Sequence, residues 1–249
     1  ESVEFDEMKR RRDMEVESTE ITIGIEELSM MKLIKVKLIK HDQQQTAANL
    51  VANHDNDKDY NYHIPTMPFL SISNLVLQVL DKIGPTMAVL RQDIFQNIQK
   101  LEKVHDSDPA LYSNMVEILK KEIISEGNGT KCSKTCCKAL LWLTRSLDFT
   151  LALLQLLADD LERNMVQAVQ ESYTNTLKPW HGWISSAAFK VALKLVPESK
   201  GLITILKGKD KNNDDFKKEL RTFISLLTPL LKEIHDVLGA YDLDRLKST

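Results

Sequence analysis

The chain of 249 residues has a formal net charge of −3, with 43% hydrophobic and 28% charged residues. This composition is normal for a globular protein and excludes a global basic field, so we expect no nucleic-acid partner. Three cysteines cannot all pair with one another and the N-terminus shows no signal peptide, which predicts a protein of the cytosol.

The first 62 residues differ in composition from the rest of the chain. Residues 34–39 alternate like a β-strand, but no partner strand is visible, and residues 43–62 form a polar stretch typical of a disordered linker. We therefore expect no packed structure before about His63. The predicted division is an N-terminal extension, 1–62, that is disordered, and one folded domain, 63–249.

From Pro68 onward the apolar residues follow the period of an α-helix. Gly84 and Pro85 end the first helix, and Asp108 followed by Pro109 predicts the start of the third. The predicted helices span about 70–83, 86–105, 108–126, 133–159, 163–177, 180–196, 202–206 and 216–241. The sequence therefore predicts an all-α domain of about eight helices, with a core large enough to fold alone.

The second predicted helix carries a row of three polar side chains. Asp93, Asn97 and Lys100 stand at positions i, i+4 and i+7, so they share one helical face. A carboxylate, an amide and an ammonium group in one row can accept hydrogen bonds from some hydroxyls and donate to others. The alternative is an ordinary solvated face of an amphipathic helix.

Aromatic residues and a histidine provide a second set of candidates. Trp142 lies in the most apolar helix, where it is either a core residue or a flat platform for a sugar ring. His181 lies between Trp180 and Trp183, and it either satisfies backbone carbonyls or donates to a ligand carbonyl. We expect at least one of these two flanking tryptophans to be exposed, as suits a membrane interface; the alternative is a pair of core anchors.

The motifs of common enzymes and metal sites are missing from the sequence. No catalytic Ser or His motif and no Gly-rich phosphate loop occurs. Cys132, Cys136 and Cys137 have no accompanying histidine pattern of a zinc site. We therefore predict no enzyme activity, no catalytic residue, no metal and no cofactor.

Three motifs together resemble the glycolipid transfer protein family: the polar row from Asp93 to Lys100, the sequence LWLTR at 141–145 and WHGW at 180–183. The likeness extends from about Pro65 to Leu246, and the last six residues of that stretch are similar to plant members. The N-terminal 62 residues have no counterpart in the basic family domain. The resemblance implies a two-layer helical sandwich that encloses one lipid, and a monomer that carries sphingolipids between membranes by transient contact.

The resemblance also implies roles for individual residues. Asp93, Asn97 and Lys100 would bind the sugar headgroup, and Asp93 would also accept the ceramide amide N–H. Trp142 would stack under the first sugar, while His181 would donate to the ceramide amide carbonyl. In the lipid-free protein we expect Lys100 to neutralise Asp93.

The remaining implied positions concern the hydrocarbon chains and the membrane. Phe149, Leu177 and Phe189 fall where the family lines its hydrocarbon tunnel. Trp183, with Trp180 beside it, occupies a position associated with membrane docking.

One position bears on headgroup selectivity. Family members that bind ceramide phosphate have lysine and arginine where this chain has Asn97 and Trp142, and they add a basic residue four positions before the arginine. This chain also has a basic residue four positions before Trp142, namely Lys138. The resemblance therefore favours glucosylceramide as ligand, with two alternatives: ceramide-1-phosphate transfer, and a sensing module that binds a sphingolipid without delivering it.

Overall fold

The computed structural model describes residues 18–33, 62–127, 135–208 and 211–247. These residues form nine α-helices and no strand, apart from one isolated bridge between Pro65 and Asn114. The helices are α1 (residues 20–33), α2 (Thr66–Ile83), α3 (Ala88–His105), α4 (Met115–Gly127), α5 (Thr135–Asp159), α6 (Met165–Asn175), α7 (Trp183–Leu193), α8 (Ser199–Lys207) and α9 (Asn213–Ala240). The all-α prediction is confirmed for this part of the chain.

Helix α5 lies at the centre of the fold. It contacts α3, α4, α6 and α9, while α2 packs against α3 and α8. By length and composition α5 could cross a membrane. Its apolar side chains, such as Leu140, Leu141 and Leu147, are instead buried against the neighbouring helices. The apolar residues of α5 therefore form the core on which α3 and α9 are positioned.

The third predicted helix begins later than expected. Asp108 Oδ1 accepts from Leu111 N at 3.1 Å, but it caps only the short 3₁₀ turn Leu111–Ser113. Helix α4 starts at Met115, after Asn114, whose Oδ1 accepts from Ile64 N at 3.0 Å. The prediction of a helix from residue 108 is wrong because this long-range hydrogen bond fixes Asn114 in an extended conformation.

Helix α1 contradicts the expectation that nothing before about residue 63 is packed. Ile21, Leu28 and Met31 are buried and belong to the core cluster, and Ile25 packs against it. Their spacing of four, three and three residues is that of one helical face, and this signal is present in the sequence. The prediction of disorder is wrong for residues 18–33. Residues 1–17 and 34–61, including the strand-like pattern at 34–39, lie outside the described residues.

Polar contacts and one close approach hold α1 in place. Lys82 Nζ lies 2.7 Å from Glu20 Oε1, which links α1 to α2. Lys211, just before α9, donates to Thr22 Oγ1 at 2.9 Å. Gly24 packs so closely on α9 that a Cβ atom built there would lie 2.4 Å from Phe223 Cε2. Helix α1 is therefore an integral layer of the folded domain.

This close approach predicts the effect of adding a methyl group at residue 24. We expect Gly24→Ala to lower the free energy of unfolding by about 1–3 kcal/mol, because the ring of Phe223 must move. The matched control is Gly201→Ala in α8, where a Cβ atom meets nothing within 4 Å and should stabilise the helix by about 0.5–1 kcal/mol. Urea denaturation measures both; equal effects of the two substitutions would contradict a tight contact between α1 and α9.

Candidate functional site

The polar row lies on α3, and its three members differ in environment. Asn97 is buried, and Lys100 Nζ donates to its Oδ1 at 3.1 Å, whereas Asp93 is exposed. Within the described part of the chain the Asp93 carboxylate forms no ion pair, so the expected pairing of Lys100 with Asp93 is wrong. An exposed carboxylate keeps its water and needs no counter-ion, while the amide of Asn97 gains from a charged donor.

His181 lies beside Trp142, although the two residues are 39 positions apart in the sequence. Their ring centroids are 5.7 Å apart with an interplanar angle of 41°. Burial lowers the pKa of His181, and so does the charge of Arg145, while the carboxylate of Asp93 raises it. The imidazole is therefore neutral at pH 7. Its Nδ1 atom is buried and has no hydrogen-bond partner among the described residues, so it is available to a ligand.

Arg145 is a site residue to which the sequence analysis gave no role. Its guanidinium carbon lies 4.1 Å from the centre of the Trp180 ring and 4.8 Å from that of Trp142. Nη1 donates to the carbonyl of Leu246 and Nη2 to that of Asp244, each at 2.7 Å. Burial lowers the pKa of Arg145 to about 10. The available signal was an arginine within the most apolar helix, since such a charge needs dedicated partners.

Tyr173, on α6, was also missed by the sequence analysis. It is buried, its ring centroid lies 5.5 Å from that of His181, and it stacks on Phe189 at 3.5 Å with an interplanar angle of 6°. Its hydroxyl donates to Ser186 Oγ at 3.3 Å. Tyr173 therefore connects the polar site to the apolar face of α7, and a tyrosine on the buried face of an amphipathic helix was the signal for it.

The proposed tunnel residues are all partly buried. Phe149 and Phe189 are half-buried and pack against the core, and Leu177 is half-buried just before the WHGW motif. Phe189 stacks on Tyr173, and Leu177 N donates to the carbonyl of Tyr173 at 3.1 Å, which is compatible with an apolar lining. Their function as a tunnel stays a prediction.

The structure separates the two tryptophans of the WHGW motif. Trp183 is 80% exposed at the start of α7, a helix of apolar composition in which no residue is buried. Trp180 is half-buried against Arg145, and its part in membrane docking stays a prediction. Lys138 is exposed on α5, one helical turn before Trp142.

A histidine on α9, His235, contacts Asp148 of α5. His235 Nε2 lies 2.8 Å from Asp148 Oδ2, and this hydrogen bond raises the pKa of His235 above its ordinary 6.5. A raised pKa means that the folded state holds the proton more tightly than the unfolded chain. The stabilisation by this pair is thus fully present below about pH 6.5 and is lost as the pH rises through the folded pKa.

We expect this pH dependence in the difference between the wild type and His235→Gln. The wild type should be the more stable protein at pH 5.5, and its advantage should shrink as the pH rises to 8.5, because the charged imidazole binds the carboxylate of Asp148 more strongly than the neutral one does. Chemical denaturation at a series of pH values measures the difference in the free energy of unfolding. Both proteins contain His181, so its opposite pH dependence cancels in that difference. A difference that is constant with pH would contradict the charged pair.

Residues 64–208 match the family model described as glycolipid transfer protein. Among curated proteins, glycolipid transfer protein 3 of Arabidopsis thaliana is 49% identical over 245 residues, which covers 98% of this chain and 97% of that protein. Glycolipid transfer protein 1 of the same plant is 35% identical over 184 residues, covering 74% of this chain and 88% of that protein.

Solved structures give the same result for the fold. A structure of FAPP2, described as selecting simple glycosphingolipids with the glycolipid transfer protein fold, has a TM-score of 0.64 at 27% identity and covers 78% of this chain and 92% of that one. Human ceramide-1-phosphate transfer protein has a TM-score of 0.65 at 14% identity, with coverages of 76% and 92%, and shares the fold. The fold expected from the resemblance is confirmed, and this chain belongs to the glycolipid transfer protein family.

Proposed function

We propose that this protein binds one neutral glycosphingolipid, glucosylceramide, and carries it between membranes through the cytosol without changing it chemically. The observation that carries the proposal is the buried Nδ1 atom of His181, which has no hydrogen-bond partner among the described residues; the ring lies beside that of Trp142, and the charge of the Asp93 carboxylate acts on it. A hydrogen-bonding atom, a flat ring and an acceptor at one place suit an amide-linked sugar lipid.

The headgroup would be bound by α3 and α5 together. Asp93, which is exposed and forms no ion pair among the described residues, can accept hydrogen bonds from sugar hydroxyls or from the ceramide amide N–H. Lys100 and Asn97 already share a hydrogen bond, and they would present one donor-rich pair to the remaining hydroxyls. The face of Trp142 opposite Arg145 would pack on the C–H face of the first sugar ring, and His181, protonated at Nδ1, would donate to the amide carbonyl.

The hydrocarbon chains set the scale of the affinity. A ceramide has on the order of thirty methylene groups, each of which costs about 0.8 kcal/mol in water. A net hydrogen bond contributes only about 1 kcal/mol, so the headgroup contacts select the ligand and the apolar lining supplies the affinity. Phe149, Leu177 and Phe189 would form part of that lining, in which Phe189 is stacked on Tyr173.

A membrane contact would be made by α7. Its exposed apolar side chains include Trp183, Ile184 and Val191. The amphipathic indole suits the lipid headgroup region, where its ring is buried and its N–H stays hydrated. Because the same helix carries Phe189, docking would place the lipid entrance at the membrane surface.

Lys138 supports a second candidate, transfer of ceramide-1-phosphate. Its exposed ammonium lies one turn from Trp142 and could bind a phosphate. Asn97 and Trp142 favour the sugar, because both side chains are uncharged. The members that bind ceramide phosphate have a lysine and an arginine at these two positions, in addition to a basic residue at the position of Lys138. A protein that binds either lipid but leaves it in place would be a sensing module.

The test is a transfer assay between vesicles that contain labelled glucosylceramide and ceramide-1-phosphate in equal amounts. We expect glucosylceramide to be transferred at least about tenfold faster, a preference worth about 1.4 kcal/mol. Lys138→Ala should leave that rate unchanged, which makes it the control for the phosphate alternative. Faster transfer of the phosphate would overturn the choice of ligand, and tight binding without transfer would favour sensing. Recovery of chemically altered lipid would contradict a carrier.

A further inference from the structure

The end of the chain folds back onto the site through Arg145. At the end of α9, Asp242 adopts a positive φ of 54° and Leu243 N donates to the carbonyl of Leu238 at 2.8 Å. This turn reverses the chain, buries the side chain of Leu243 and brings the carbonyls of Asp244 and Leu246 to the guanidinium. The C-terminal segment, residues 243–246, is therefore fixed by backbone contacts.

Arg145 uses its plane and its edge for different partners. The edge donates to the two carbonyls, and the guanidinium carbon lies over the rings of both Trp142 and Trp180. A guanidinium group can hold both arrangements at once because it is flat and its donors form a fork. Lysine carries the same charge but can neither stack as a plane nor donate as a fork.

Occupation of one face of Trp142 has a consequence for ligands. Since the guanidinium carbon lies 4.8 Å from the centre of the indole, a flat ligand that stacks on Trp142 would use the face opposite Arg145. The tilt of the indole is then set by the guanidinium, whose position is set by the carbonyls of residues 244 and 246. The hydrogen bonds to Arg145 come from the backbone carbonyls of residues 244 and 246, while the side chain of Arg245 is 86% exposed.

We propose that Arg145 is a positioning residue, through which the backbone of residues 244–246 orients the Trp142 indole for the sugar. This inference rests on the proposed function, because it assigns the sugar to the free face of Trp142. It gives the C-terminal segment control over headgroup selectivity although that segment need not touch the ligand.

The experiment compares Arg145→Lys and a deletion of residues 244–249 with a deletion of residues 248–249, which keeps both carbonyls. Binding is measured for glucosylceramide and for ceramide, which has the same amide and chains but no sugar. We expect the first two variants to lose about tenfold in glucosylceramide binding, while ceramide binding and the deletion of 248–249 stay at the wild-type level. Equal losses for both lipids would mean that Arg145 only stabilises the fold, and would overturn the inference.

A measurement without lipid separates this inference from the proposed function. Near-ultraviolet circular dichroism reports the fixed orientation of tryptophan rings, and we expect its tryptophan bands to weaken in Arg145→Lys and in the longer deletion only. Unchanged bands in Arg145→Lys would overturn the positioning role even if the longer deletion failed to fold. If the bands weaken in the variants but the wild type binds no glucosylceramide, the orienting contact of Arg145 is supported and the proposed ligand is contradicted.

Discussion

Asp93→Val should reduce glucosylceramide transfer to below about one hundredth of the wild-type rate. The carboxylate is the acceptor proposed for the sugar hydroxyls and the amide N–H, and hydrogen bonds to a charged group contribute about 1.5–3 kcal/mol each. Losing two of them costs about 3 kcal/mol or more, and every 1.4 kcal/mol is a factor of ten. Transfer of labelled lipid between vesicles measures the effect.

The fold should tolerate this substitution. Asp93 is exposed and forms no ion pair among the described residues, so its removal leaves no buried group unsatisfied. The matched control is Gln99→Val, which places the same side chain at an exposed position on another face of α3. Both variants should unfold near the wild-type temperature. Normal transfer by Asp93→Val, or an equal loss in Gln99→Val, would remove Asp93 from the proposed site.

A helical fold was predictable here because the apolar residues follow one period over most of the chain. Leu140, Leu141 and Leu147 are buried on α5, where their spacing placed them, and Gly84 ends α2 as the sequence indicated. The start of α4 was not predictable, since it depends on Asn114 accepting from Ile64, a contact across fifty positions. Asp108 is a local signal for a helix start, and it contains no information about this long-range contact. The helix was therefore predicted to begin too early.

The missed helix α1 shows a different limit. Its apolar spacing was readable, but a short helix with a glycine inside is a weak pattern by itself. The glycine is there because Phe223 of α9 occupies the space of its Cβ atom, and that neighbour is remote in sequence. Whether such a short helix forms depends on its tertiary packing.

The candidate site was predictable in its composition but not in its connections. Asp93, Asn97 and Lys100 were placed on one face by spacing alone, whereas the partner of Lys100 is Asn97 and not Asp93. Arg145 and Tyr173 act through residues on other helices and on the C-terminal segment. These contacts, of Arg145 with the carbonyl of Leu246 and of Tyr173 with His181, join parts of the chain that show no local sequence signal for them.

Trp183→Asp should slow vesicle-to-vesicle transfer at least about tenfold while leaving lipid binding intact. The indole is 80% exposed on a helix with no buried residue, so its apolar area is free to enter a membrane surface. A tryptophan buries about 150–250 Å² when it is covered, and half of that area at about 25 cal/mol per Å² is roughly 2 kcal/mol. The carboxylate adds a desolvation cost at the same place.

The control and the second readout separate docking from binding. Ile124→Asp places a carboxylate at an exposed apolar residue of α4, outside the docking helix α7, and should transfer lipid like the wild type. Binding of a short-chain glucosylceramide in solution needs no membrane and should be the same in both variants. Since Trp183 contributes no contact to the core, a loss confined to vesicle assays assigns it to the membrane, whereas a loss of soluble binding would place its function within the lipid site.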